Sequence, residues 1–144
     1  MQYQIVCRSK TRLALIDSLV RVLIPELKLT RSRFNLIVKS QRGLIKQDGM
    51  RGVVGPDPSD PTQLVMLLDS ALDSEFLIST LCHEMVHVKQ FALGQTQIKY
   101  RGENPTFYWM GKRVRAVYWD QPWEQEAWRR ERVLASRIYK ILAG

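Results

Sequence analysis

The chain has 144 residues, 45% of them hydrophobic and 25% charged, which is enough for one well-buried core and too little for two, so a single domain over 1–144 is expected. No apolar run is long enough to cross a bilayer, the first ten residues lack the basic-then-apolar order of a secretory signal, and two cysteines give no disulfide framework. These readings predict no membrane partner and a cytoplasmic setting, while 22 lysines and arginines against 14 acidic residues favour polyanions such as nucleic acid.

The first predicted element is a helix over residues 11–27, where Leu13, Leu15, Ile16, Leu19, Val20, Leu23 and Ile24 keep helical spacing until Pro25 perturbs the end. It is expected to precede the sheet, with only a short strand-like segment around Cys7 before it. Residues 33–39 and 64–69 read as strands, with shorter extended pieces around 44–46 and 50–54. Residues 55–61, rich in Pro, Gly and Asp, read as a loop.

The next element carries the chemistry. Residues 73–82 open with capping types and continue as an apolar run, and Gly94 supplies a stop, so His83-Glu84-Met85-Val86-His87 lies inside a buried helix. Residues four apart sit one above the other on a helix, so both imidazoles reach one ion and Glu84 stands beside it. Burying two histidines and a carboxylate is costly unless they are paired or bind a metal. Zn²⁺ fits best, and a catalytic zinc takes three protein ligands and keeps one position open. No other histidine exists in the chain. Cys82 points about 100° away from His83 on the helix, and Cys7 lies in the N-terminal segment, so a carboxylate must complete the set.

After Gly94, residues 106–110 and 113–119 read as a hairpin turning at Gly111-Lys112, its aromatics either walling a cleft or filling the core. A final helix begins near Pro122, capped by Asp120 or Gln121, with Ala127, Leu134, Ile138 and Ile141 as its apolar stripe. Glu124 and Glu126 fall on opposite shoulders of that stripe, and periodicity does not choose between them; Glu103, Asp120 and Glu131 are further candidates. The elements together predict an α+β domain with an N-terminal helix, a small, mainly antiparallel sheet, a central metal helix and a C-terminal helix.

The helical motif followed by Glu126-Ala127 on a later helix resembles the minimal gluzincin-type metallopeptidases, including the ImmA/IrrE-like group. Residues 118–127 are similar to small metallopeptidases of phages and bacteria, and SprT-like domains share the motif but complete it with a histidine that this chain lacks. The resemblance spans the second half of the chain. It implies a zincin-like fold, peptide-bond hydrolysis of a protein or peptide substrate in a bacterial or phage-infected cell, His83, His87 and Glu126 as zinc ligands, and Glu84 as general base. Tyr100, Tyr108, Tyr118 and Arg113 are the candidate oxyanion partners. The alternative is a non-catalytic, zinc-containing nucleic-acid-binding or phage structural protein, and a third reading is a regulatory protease for one dedicated partner.

Overall fold

The computed structural model describes residues 1–115 and 120–144. It is an α+β fold with a mixed sheet, a smaller antiparallel sheet and, among the described residues, four helices. The chain opens on a strand and not on a helix. In β1 (Gln2–Val6) Tyr3 and Ile5 pack towards the core and their neighbours face outward, the period-two pattern of a half-buried strand. Ser9 then caps α1 (Lys10–Glu26), accepting the Arg12 amide at 3.2 Å. Ile16, Leu19, Val20, Leu23 and Ile24 form the buried face of α1, and Pro25 falls in its last turn.

Because α1 carries the chain back along its own length, β2 (Asn35–Gln41) lies parallel to β1. Strand β4 (Asp60–Asp69) lies parallel to β2, and β3 (Gly52–Asp57) pairs antiparallel with β4 at the edge, in the order β1-β2-β4-β3. The main sheet is therefore mixed, where a mainly antiparallel one was expected. Its register sets Leu36 beside Leu64 and Val38 beside Met66, all buried under the helices. One hydrophobic core joins these residues to α1, α3 and α4.

Two local readings are corrected. Residues around 44–46 form a short helix, α2 (Leu44–Asp48), flanked by Gly43 and Gly49 at φ 80° and 68°. Asp69 Oδ2 accepts the Ile45 amide at 2.7 Å, so the cap comes from a distant strand. The supposed loop at 55–61 instead continues β3 into β4 through a turn in which Asp57 Oδ1 accepts from the Ser59 amide and hydroxyl.

Helix α3 (Ser74–Ala92) is capped by Asp73, whose carboxylate accepts the Phe76 amide at 2.9 Å, and Gly94 beyond its end takes φ 71°. Strands β5 (Thr96–Arg101), β6 (Asn104–Trp109) and β7 (Lys112–Val114) form the smaller sheet, with Met110 and Gly111 at the β6–β7 turn. The rest of the expected hairpin strand, residues 116–119 with Tyr118 and Trp119, lies outside the described residues. Helix α4 (Pro122–Ala143) starts with Pro122 in its first turn and Gln121 at the cap position without a side-chain bond. It packs on α3. No described helix is long and apolar enough to cross a membrane.

Candidate metal centre

Each turn of α3 that faces α4 contributes a polar group to a cleft of about 630 Å³. His83 and His87 stand on one helical face as their spacing requires, with Nε2 atoms 3.2 Å apart. Glu124 Oε1 from α4 lies 3.3 Å from His83 Nε2 and in closer contact with His87 Nε2. These three donors form the one group among the described residues able to hold a metal ion.

The hydrogen bonds behind the rings fix which nitrogen is available. Gln90 Nε2 donates to Trp123 O and to Glu126 Oε1, both at 2.9 Å, which turns Gln90 Oε1 towards His87. That oxygen only accepts, so His87 Nδ1, 2.7 Å away, carries the proton and its Nε2 is bare. Glu131 Oε2 does the same for His83 Nδ1 at 2.9 Å. Two imidazole lone pairs and a carboxylate oxygen thus converge on one point, an arrangement that repels itself unless a cation or proton sits among them. Ligands at 2.0–2.1 Å in tetrahedral array stand about 3.3 Å from one another, and the two histidine nitrogens and the Glu124–His83 pair match that edge.

The proton equilibria express the same need for positive charge. Burial lowers the pKa of both histidines, but Glu124, accepting a hydrogen bond from the protonated ring, and the charge of Glu84 outweigh it and the net shift is upward. Glu84, 6% exposed, has its pKa pushed up to about 6 by burial, against the pull of His87 and His83. Edge strand β3 comes close here: Gly52 leaves room for Glu84, and a Cβ at position 52 would lie 3.1 Å from Glu84 Cγ.

Glu126 does not stand with the histidines, which corrects the placement implied by the resemblance. Lys89 Nζ binds both its oxygens, at 2.9 and 2.8 Å, and Gln90 donates to it as well. Burial would raise the pKa of Glu126, but these two donors bring it below the ordinary carboxylate value. Its connection to the centre runs through Gln90 to the back of His87. Glu131 touches His83 at Nδ1, the side away from the donors, and Glu103 and Asp120 are exposed and outside the group. Cys82 is buried and its thiol pushed up to about 12, mainly by that burial, while the Cys7 thiol donates to Ser9 O at 3.5 Å.

Of the candidate oxyanion partners, Tyr108 and Arg113 pair across β6 and β7, and the Tyr108 ring takes Lys99 Nζ at 4.7 Å from its centroid. Neither borders the cleft; Tyr100 is 64% exposed at the far end of β5, and Tyr118 lies outside the described residues. Phe107 lines the cleft, whereas its strand neighbours Tyr108 and Trp109 do not border it. Sequence reasoning missed the orienting roles of Gln90 and Glu131, although Gln90 follows His87 by three positions and Glu131 follows Glu124 by seven, both same-face spacings. The chain matches no described protein family, and no curated protein or solved structure is significantly similar to it.

Proposed function

We propose that the protein is a zinc-dependent metallopeptidase of zincin type, with His83, His87 and Glu124 as ligands and Glu84 as general base. The observation that carries this reading is the convergence of three lone-pair donors, with both imidazoles oriented from behind and a buried carboxylate next to them in an open cleft. A structural zinc site is closed by four protein ligands, whereas this group offers three. Zinc held there would polarise a peptide carbonyl and make water a better nucleophile. Glu84 takes the proton of the attacking water and passes it to the departing amine. Burial makes Glu84 more basic than an exposed glutamate, which suits it to take that proton. Among the described residues strand β3 is an edge of the main sheet and borders the cleft, and an edge strand suits an extended peptide better than a compact substrate.

Native mass spectrometry of the purified chain tests the ligand set. One zinc per chain is expected in the parent, in Glu84→Gln and in Glu126→Gln, and none in His83→Ala or Glu124→Ala. Zinc retained by Glu124→Ala and lost by Glu126→Gln would reverse the assignment. Glu84→Gln is expected to keep its metal and lose about 10²–10⁴-fold in peptide hydrolysis, and undiminished turnover would overturn the mechanism.

A further inference from the structure

The cleft has an apolar end, and one polar atom there has no partner among the described residues. Helix α3 lines the cleft with Thr80, His83, Glu84, His87 and Phe91, so Phe91 lies about 6 Å along the axis beyond His87. Facing it are Ile98 and Phe107, neighbours across β5 and β6, and Trp123, whose ring centroid is 5.7 Å from that of Phe107. Side chains two apart in a strand share a face, so Thr96 points the same way as Ile98 and borders the same end of the cleft. Thr96 is 5% exposed; its Oγ1 has no hydrogen-bond partner among the described residues and is closed off from solvent as the side chain stands, so a turn about χ1 is needed for it to meet a ligand. A buried hydroxyl is normally satisfied, and one left unmet in an aromatic wall favours a ligand that brings a polar group to it.

We propose that this pocket receives the side chain of a tyrosine next to the scissile bond, the ring lying among Phe91, Phe107 and Trp123 and the phenolic hydroxyl meeting Thr96 Oγ1. Its meaning as substrate specificity rests on the metallopeptidase reading above; the pocket itself does not. Phenylalanine fills the same walls and leaves Thr96 unmet. A cationic side chain finds no carboxylate among these five residues. A site built around a substrate hydroxyl discriminates against the analogue lacking it more strongly than an apolar pocket discriminates by size.

The test reads binding and not turnover. N-acetyltyrosinamide and N-acetylphenylalaninamide are titrated into the full chain, and the Ile98 methyl and Trp123 indole signals are followed by NMR. Saturable shifts at both residues are expected, with the tyrosine amide bound about tenfold more tightly, as one added hydrogen bond allows. Thr96→Val should bring the two amides to near parity, and Thr96→Ser should restore the difference. Equal affinities in the parent, absence of saturable shifts at these residues, or a tyrosine preference that survives Thr96→Val would each overturn the proposal. Tyrosine binding without any peptide hydrolysis would leave the pocket standing and remove the peptidase reading. Hydrolysis without tyrosine preference would do the opposite.

Discussion

A methyl group at position 52 would stand 2.8 Å from Thr80 Cγ2 and 3.1 Å from Glu84 Cγ, closer than packed carbons tolerate. Thr80 is fixed on α3, so Gly52→Ala is expected to displace the Glu84 side chain and to cost about 1–3 kcal/mol of stability in urea unfolding. Zinc stoichiometry should survive the change, because Glu84 is not among the donors, while hydrolysis falls. Cys82, buried with its pKa near 12, should resist iodoacetamide in the native chain at neutral pH and react only after denaturation, when intact-mass measurement should show a second alkyl group beside that on Cys7. At this scale His83, Glu84 and His87 were legible because one helix fixes their relation. Glu124 was not. The apolar stripe of α4 was drawn through Ile141, which is exposed at 52%. Drawn through Ala127, Leu134 and Ile138 alone, the stripe lies about 60° from Glu124 and about 100° from Glu126, which favours the glutamate that stands beside the two histidines.

Asp69 at the end of β4 holds two other segments. Its carboxylate accepts the Ile45 amide at the start of α2 and the Ala71 amide, both at 2.7 Å, and these bonds bring its pKa below the ordinary value despite burial. The sign of the pH effect follows: the stabilisation is complete above the usual aspartate range near pH 4 and is lost as pH falls through the depressed native pKa. Asp69→Ala should therefore cost about 2–4 kcal/mol at pH 7, with the gap to the parent narrowing in acid unfolding curves. The same residue shows why α2 escaped sequence reasoning, since its cap comes from a position 24 residues away and local composition carries no trace of it. Helices α1, α3 and α4 were legible because each carries its own long periodic stripe. The parallel pairing of β1 with β2 was not, because strand direction is set by the path of α1 across the sheet and not by the five residues of β1.

Between α3 and α4, Lys89 and Glu126 form an ion pair that Gln90 joins. Removing the cation alone, as in Lys89→Met, should destabilise the chain by about 2–3 kcal/mol, less than for a fully enclosed pair because Glu126 keeps Gln90 and some contact with water. The double variant Lys89→Met/Glu126→Leu should recover most of that loss in thermal unfolding. A metal held by the three donors would add a second fastening between the same helices: zinc at about a thousand times its Kd would contribute roughly 4 kcal/mol, near 10 °C in Tm for a chain of this size. A chelator should remove that increment from the parent and leave Glu124→Ala unchanged. The donors of this fastening are 41 residues apart in sequence, with the whole β5–β7 sheet between them. Bringing them together closes a long loop, and such contacts are completed late, after local helices have formed. A refolding chain is therefore expected to hold two imidazoles on α3 well before it owns a third donor, so that on the zinc reading tight metal capture would mark the docking of α4. A zinc-sensitive dye followed after dilution from denaturant would accordingly lag the recovery of helical signal, and the length of that lag is the time α4 takes to find its place.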